Sequence, residues 1–272
     1  MLLCIDIGNT NLSVGLFEAD CPTPVHMSKI TADARRTADE TAVLLQNLFV
    51  LHQITPEQID GVCLCSVAPQ LTDRVTQALR QFLPAECRIV TVGPGVKTGF
   101  EICTQYPAEL GGDIVANCAA VAAFHGAPAV IVDMGTATTV FALQAAKNGE
   151  GPPSLIGGAI LPGAFTALEG LRQQTAQLPY ISLDSPSHVP SAVGKNTADS
   201  MRAGTVLGHA FAVDGLVDRM IQKLSPQAEE VRLLLTGSMA PLIFPACSHA
   251  FLHVPHLTLQ GLFAIYRNTA GK

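Results

Sequence analysis

Short apolar runs that lead into polar, glycine-containing turns recur along the chain, and the two clearest copies predict β-hairpins. They occupy residues 2–17 and 129–143, with Asp6 and Asp133 in equivalent places. In each copy an apolar run ends in the aspartate, and an apolar residue, a glycine, an asparagine or threonine and a second β-prone run follow. Such an internal repeat predicts two similar halves, and ligands often bind between halves of this kind.

The turns of both hairpins carry groups that suit the oxygens of a phosphate. Glycine lets a backbone come close to a ligand, and backbone N–H groups together with Ser or Thr hydroxyls can surround an anion. The turn of the second hairpin, residues 135–138, begins two residues after Asp133. A single turn of this type is equally well an ordinary polar hairpin, so the functional interpretation depends on the repeat.

Outside the hairpins, hydrophobic periodicity predicts strands that alternate with helices. Residues 37–40 predict a capping box, and Leu44, Leu48 and Leu51 share the predicted inner face of the helix that follows. Thr197 is a good N-cap for a long helix in the second half. Further strands are predicted at 25–30, 61–67, 88–92, 155–161, 231–235 and 250–254, and further helices at 71–83, 112–125, 198–224 and from 164 and 257 onward. This alternation, with antiparallel strands first, predicts an α/β fold with mixed sheets.

Composition narrows the class of protein. The chain has 272 residues, which suits two domains of ordinary size. Charged residues make up 14%, against about 25% in typical globular chains. Either the cores are large or part of the surface is buried in a partner, and we favour an oligomer. The net charge is −6 and no Lys/Arg run occurs, which argues against nucleic-acid binding because that requires clustered cations.

Neither membrane insertion nor secretion is predicted. No uninterrupted apolar run reaches about 18 residues, and the first strand begins at Leu2 and already contains Asp6, so no signal segment fits. The eight cysteines form no C-x-x-C pair, and several lie in apolar runs, as buried thiols do. We therefore expect a cytoplasmic, thiol-reduced protein without structural zinc.

Several polar or glycine-rich positions allow both a structural and a functional interpretation. Asp113 lies in the first turn of a predicted helix, where it either complements the helix dipole or presents a carboxylate at a site. Residues 93–99 form either a connector or a substrate rim that includes Lys97. The segment Thr236–Met239 follows a predicted strand and is either a plain strand-to-helix turn or a platform for a nucleotide base.

Six short motifs, in order and spread over nearly the whole chain, resemble those of type III pantothenate kinases of the acetate-kinase/Hsp70/actin superfamily. They are Asp6–Asn11, Leu110–Asp113, Asp133–Thr139, Gly157–Gly163, Gly194–Thr197 and Leu235–Gly237. The resemblance implies two ribonuclease-H-like domains of the actin-like ATPase type, which we place at residues 1–115 and 116–272, with the last helix able to pack back on the first domain. It also implies a homodimer that transfers the γ-phosphoryl group of ATP to pantothenate, the first step of coenzyme A synthesis.

The resemblance also implies roles for individual residues. Asp113 resembles the general base, Asp133 resembles the ligand of a monovalent cation, K⁺ or NH₄⁺, and Asp6 resembles a group near Mg²⁺. The implied ATP-binding residues are Asp6, Ile7, Gly8, Asn9, Thr10, Asn11, Leu12, Ser13 and Thr136, and the implied pantothenate-binding residues are Gly111, Gly112, Asp113, Ile114 and Thr197. Phosphoryl transfer depends on positioning and charge neutralisation, which carboxylates, hydroxyls and metal ions can supply.

Two positions depart from the pattern of the family. The family usually has arginine directly after the base, where it meets the pantothenate carboxylate, and this chain has Ile114, which cannot replace a guanidinium. The aromatic residue often found nine positions before the base is Thr104. Either another cation, such as Lys97 or Arg202, serves the carboxylate, or the enzyme phosphorylates another small hydroxylated molecule, or the chain is a non-catalytic regulator that binds nucleotide or pantothenate.

Overall fold

The structure is a computed structural model that describes residues 1–146, 149–183, 189–225 and 230–270. The chain divides into two compact units. The first unit comprises Met1–Glu101, Gln105–His125 and His256–Lys272, and the second comprises Ile102–Thr104 and Gly126–Pro255. Compared with the predicted domains, this division assigns residues 116–125 to the first unit and residues 102–104 to the second. Residues 256–272, which contain the last helix, belong to the first unit, as the predicted division allowed.

A five-stranded mixed sheet forms the centre of the first unit, in the order β3-β2-β1-β4-β5. Its strands are β1 (Leu2–Ile7), β2 (Asn11–Phe17), β3 (His26–Thr31), β4 (Gly61–Ser66) and β5 (Arg88–Thr91). The first three strands form an antiparallel meander, whereas β4 and β5 run parallel to β1. β1 and β4 consist almost wholly of buried residues, as expected for strands covered on both faces. The predicted mixed sheet with antiparallel strands first is confirmed.

Among the described residues, the first unit contains four α-helices, and the first of them begins where the capping box predicted. The four helices are α1 (Ala38–Leu51), α2 (Pro69–Phe82), α3 (Gly112–Ala120), which continues as a π-helical turn over Val121–His125, and α7 (Leu257–Ala270). Thr37 and Glu40 exchange the two hydrogen bonds of a capping box.

The buried residues of α1 are Thr41, Ala42, Leu45 and Phe49, whereas Leu51 is 70% exposed. The predicted inner face is therefore wrong at Leu51, whereas Leu44 and Leu48 are partly buried at the edge of the observed face. The cause is Phe49, which brings a larger apolar surface and packs edge-on against Phe82 with ring centroids 5.4 Å apart.

The helix α7 completes the core of the first unit. It packs along α3 and against β1, β2 and β4. The ring of Phe263 lies 5.2 Å from that of Phe17. Gly261 lets α7 touch the backbone of α3, because a Cβ at this position would overlap the carbonyl group of Ala116. These contacts explain why the whole of α3 belongs to the first unit.

A six-stranded sheet forms the centre of the second unit, in the order β11-β10-β7-β8-β9-β6. Its strands are β6 (Glu101–Ile102), β7 (Ala129–Met134), β8 (Ala137–Gln144), β9 (Ser154–Pro162), β10 (Arg232–Thr236) and β11 (Leu252–His253). Five of them, β9-β8-β7-β10-β11, repeat the order and the directions of β3-β2-β1-β4-β5. The repeat visible in the two hairpins therefore extends to both sheets.

The second unit contains the long helix α5, which packs on the sheet and whose cap differs from the prediction. The helices of this unit are α4 (Ala164–Gln173), α5 (Thr197–Leu224) and α6 (Ala240–Ile243). The N-cap of α5 is Asn196, whose side chain accepts a hydrogen bond from the Asp199 N–H at 2.9 Å. The predicted cap, Thr197, is the first helical residue, and asparagine is at least as good a cap as threonine. Across the described residues, no helix combines the length and the apolar character needed to cross a bilayer.

Candidate active site

In the first unit, Asp6 lies near the end of β1, next to the turn that leads into β2. It is opposite Ser13 of β2 and Cys65 of β4, and the Cys65 thiol donates a hydrogen bond to its Oδ1 at 3.4 Å. The Gly8 N–H closes the turn by donating to the Asn11 carbonyl at 3.0 Å. A carboxylate and a glycine turn therefore occur side by side.

The other residues of this segment differ in what they can offer a ligand. Ile7 and Leu12 are buried in the core of the unit, so only their backbone groups can contact a nucleotide. Asn9 and Thr10 are exposed at the tip of the turn. Because backbone N–H groups and polar side chains at such a tip can donate to phosphate oxygens, the exposed pair is the better candidate for direct contact.

Asp113 lies in the first turn of α3. Its Oδ1 accepts a hydrogen bond from the Ile114 N–H at 2.8 Å. Burial raises the pKa of Asp113, and the backbone N–H groups of Ile114 and of Asp113 itself oppose that rise. A carboxylate with a raised pKa is a stronger proton acceptor than an ordinary aspartate. The position therefore suits a base, while the start of a helix also stabilises the charged carboxylate.

The two glycines before Asp113 allow close contacts at the start of α3. A Cβ on Gly111 would overlap Oδ1 of Asp113, and a Cβ on Gly112 would lie 3.0 Å from the Cβ of Cys65. The next residue, Ile114, is only 7% exposed. Its side chain packs in the interior and offers no polar group to a substrate.

The second unit repeats the arrangement around Asp133. Asp133 is opposite Thr139 of β8 and Thr236 of β10, in the register positions that a serine and a cysteine hold around Asp6. β1 and β7 also share the same order of buried and partly buried residues. Each of the two carboxylates therefore has a hydroxyl or thiol residue on either side of it within its sheet.

The turn between β7 and β8 is held in place from two sides. The Thr136 carbonyl accepts hydrogen bonds from the Gly163 N–H at 3.0 Å and from the Thr166 hydroxyl at 2.6 Å. On the other side, Gly237 has a φ of +100° and packs on the backbone of Met134, where a Cβ would overlap. Thr136 itself is exposed, so its side chain is accessible to a ligand. Gly237 thus has a packing role, and its place in a nucleotide-base platform stays a prediction.

A buried polar pair lies beside this turn. The Oγ1 of Thr138 and the Nε2 of His209 are 2.9 Å apart, and both residues are buried. Burial lowers the pKa of His209, so its ring is neutral near pH 7. The pair joins the start of β8 to α5. Neither this pair nor Thr166 was predicted, because these partners are far apart in the chain and no local pattern connects them.

The remaining candidate residues lie nearer the surface. Thr197 is exposed in the first turn of α5, and Lys97 is exposed in the first unit. Arg202 forms an ion pair with Asp199 at 3.2 Å. A substrate carboxylate would therefore have to compete with Asp199 for Arg202.

The carboxylate of Asp6 suits a metal ion that binds together with the nucleotide. Among residues 1–146, 149–183, 189–225 and 230–270, no three His, Cys, Asp or Glu side chains come together to hold a metal ion. Mg²⁺ in kinases is commonly bound by one or two carboxylates and by the phosphates of the substrate. Asp6, beside the glycine turn of the first unit, supplies one carboxylate of this kind.

The two repeated sheets place the chain in a known fold. A solved structure from Sinorhizobium meliloti, described as a candidate 2-dehydro-3-deoxygalactonokinase, matches with a TM-score of 0.56 at 12% identity, over 98% of this chain and 96% of that one. The fold is that of actin-like ATPases and sugar kinases. This likeness shows the fold, and the glycine turns that follow Asp6 and Asp133 are of a kind that suits phosphate oxygens.

The chain belongs to the type III pantothenate kinase family, because a model of that family matches residues 2–219. It is 40% identical over 270 residues to the type III pantothenate kinase of Thermobifida fusca, covering 99% of this chain and 100% of the relative. It is 39% identical over 276 residues to the enzyme of the same name from Streptomyces coelicolor, covering 100% of both. The resemblance expected from the six motifs is confirmed.

Proposed function

We propose that this chain transfers the γ-phosphoryl group of ATP to the hydroxyl group of pantothenate, the first step of coenzyme A synthesis. The observation that carries the proposal is Asp113, a carboxylate of raised pKa at the start of α3, in a chain that the family model matches over residues 2–219. A protein that only binds nucleotide has no need of a base at this position.

In this proposal the chain positions the reactants and manages charge and protons. Asp113 orients the hydroxyl of pantothenate and accepts its proton as the phosphoryl group is transferred. The exposed Asn9 and Thr10 donate to phosphate oxygens, as does Thr136 in the second unit. Mg²⁺, when bound with the nucleotide, neutralises phosphate charge, and Asp6 would hold it. We assign Gly111, Gly112 and Thr197 to the pantothenate site.

A coupled assay of ADP release tests the proposal directly. Purified protein with Mg²⁺, K⁺ and ATP should release ADP only when pantothenate is present, and mass spectrometry should detect phosphopantothenate. Nucleotide binding without any ADP release would instead support the non-catalytic regulator. ADP release with other small alcohols, and none with pantothenate, would support a kinase of a different substrate.

We predict that activity requires K⁺ or NH₄⁺ and that Asp133→Ala weakens this requirement together with ATP binding. Asp133 is a partly buried carboxylate between two threonines, so a monovalent cation there would offset charge near the phosphates. We expect wild-type rates to fall roughly ten-fold in Na⁺, a change of about 1.4 kcal/mol. The exposed Asp218 of α5 provides a control in Asp218→Ala. Equal rates in K⁺, Na⁺ and Tris buffers would contradict the cation role.

We also propose a homodimer whose interface lies mainly on the second unit. Large apolar side chains are exposed there, including Phe211 of α5 (61%) and Ile160 of β9 (65%). Their burial against a second copy would remove apolar surface from water. Light scattering should give twice the chain mass of 28.5 kDa, and Phe211→Glu should shift the mass towards the monomer. A wild-type monomer at micromolar concentration would end this proposal.

A cytoplasmic location belongs to the same proposal. Five of the eight cysteines are buried as free thiols, namely Cys4, Cys63, Cys65, Cys87 and Cys118. Proteins with several free thiols are typical of reducing compartments. Fractionation of cells that express the protein at its natural level tests this location.

A further inference from the structure

The buried side chain of Cys65 contacts both β1, which carries Asp6, and α3, which carries Asp113. Cys65 is next to the last residue of β4 and is paired in parallel register with Asp6 of β1. Its Sγ lies 3.4 Å from Oδ1 of Asp6, to which the thiol donates. On the other side, Gly112 at the start of α3 approaches so closely that an added Cβ would lie 3.0 Å from the Cβ of Cys65.

The thiol of Cys65 serves as a hydrogen-bond donor to a carboxylate. Cys65 is fully buried, and its partner Asp6 offers oxygen atoms that accept hydrogen bonds when ionised. A buried cysteine behaves as a small side chain with a weak donor, so its contact with Asp6 combines packing with one hydrogen bond.

The second unit provides an independent observation about this position. In the repeated sheet, the residue opposite Asp133 on the parallel strand β10 is Thr236. Thr236 is only 2% exposed, so a buried side chain with a donor group occupies the equivalent place in both units.

We infer that Cys65 is a positioning residue of the phosphotransfer site, which holds the Asp6 carboxylate in the orientation that receives Mg²⁺ with the nucleotide phosphates. The inference rests on the proposed function, because it assumes that Asp6 acts near a magnesium-bound nucleotide. The effect is indirect, since the thiol acts through Asp6 and does not itself contact the substrate.

Binding measurements on the full chain separate the hydrogen bond from packing. Cys65→Ala removes the donor at small change of volume, whereas Cys65→Ser keeps a donor. We expect Cys65→Ala to weaken the binding of Mg²⁺·ADP about three- to ten-fold and to leave the binding of ADP in EDTA nearly unchanged. Cys65→Ser should bind Mg²⁺·ADP within about two-fold of wild type. Calorimetric titration gives both dissociation constants.

A matched control lies two residues earlier in the same strand. Cys63 is also buried in β4, but it is paired with Cys4 instead of an aspartate. Cys63→Ala therefore reports the cost of losing a buried thiol, and it should lower thermal stability without changing the affinity for Mg²⁺·ADP. If Cys65→Ala does not fold, Cys65→Thr and Cys65→Val form a second pair that differs mainly in the hydroxyl.

The outcomes distinguish this inference from the proposed function. A wild-type protein that does not bind Mg²⁺·ADP contradicts the proposed function itself. A wild-type protein that binds, together with a folded Cys65→Ala variant of equal affinity, overturns the positioning role. Equal losses in the alanine and serine variants, or in the threonine and valine variants, also overturn it, because they would show that volume and not donation matters.

Discussion

Asp113→Asn lowers turnover by about 10²- to 10⁴-fold, as expected for the loss of a general base, while the affinity for Mg²⁺·ATP stays within a few-fold of wild type. The amide keeps the size of the side chain but cannot accept the proton of the pantothenate hydroxyl. Steady-state assays give the turnover, and calorimetry gives the affinity. Glu109→Gln, at an exposed acid just before α3, is the matched control and should keep wild-type activity.

The raised pKa of Asp113 adds two results to this prediction. The base must be ionised, so wild-type turnover should fall towards acid with an apparent pKa above about 3.9, the value of an ordinary aspartate. Because the folded protein raises this pKa, ionisation of Asp113 opposes folding at pH 7. This opposition declines as the pH falls below the raised value and is gone below the ordinary value of the unfolded chain. Asp113→Asn should therefore unfold at a temperature no lower than wild type at pH 7. Turnover within a few-fold of wild type would remove Asp113 from the mechanism.

Ile114→Arg lowers the KM for pantothenate about ten- to a hundred-fold if the carboxylate of the substrate lacks a cation in the wild-type enzyme. A hydrogen bond to a charged group contributes about 1.5–3 kcal/mol, and 1.4 kcal/mol corresponds to a factor of about ten. The same variant should not improve pantothenol, in which a neutral alcohol replaces the carboxylate. Steady-state kinetics with both compounds measure the contrast.

The burial of Ile114 defines the controls for this variant. Because only 7% of this residue is exposed, an arginine here would bury an unpaired guanidinium and lower the stability of the fold. Thermal unfolding measures this loss separately from KM. Ile114→Met keeps the apolar character and should leave both substrates unchanged. Equal responses of pantothenate and pantothenol to the arginine would reject the missing-cation explanation. If the wild type already strongly prefers pantothenate over pantothenol, another cation serves the carboxylate, and Lys97 and Arg202 are the first residues to mutate.

The elements that sequence analysis located best are those with a local signature. The two hairpins were predictable because an aspartate, a glycine and two β-prone runs occur within about 15 residues of each other. The capping box of Thr37 and Glu40 was predictable for the same reason. The inner face of α1 was not, because leucines and a phenylalanine offered two apolar faces one residue apart, and the contact with Phe82 of α2 decides between them.

The parts of the candidate site that sequence analysis missed depend on contacts between distant residues. Cys65 reads as one more apolar residue in a buried strand, and only the parallel pairing of β1 and β4 brings it to Asp6. Thr166 and His209 likewise reach the turn after Asp133 from helices. The family motifs identified the residues that could contact ligands, but the side chains that hold those residues in place have no motif.

The position of α7 sets the order in which the two units can form during synthesis on the ribosome. Phe17 and Ala116 meet their partners in α7 only after residues 126–256 have also been translated. At about 5–20 residues per second, this delay is on the order of ten seconds, and apolar surface of the first unit stays uncovered meanwhile. The second unit is nearly continuous from Gly126 to Pro255 and needs no later segment. We therefore expect the half of the enzyme that is translated second to be the half that folds first.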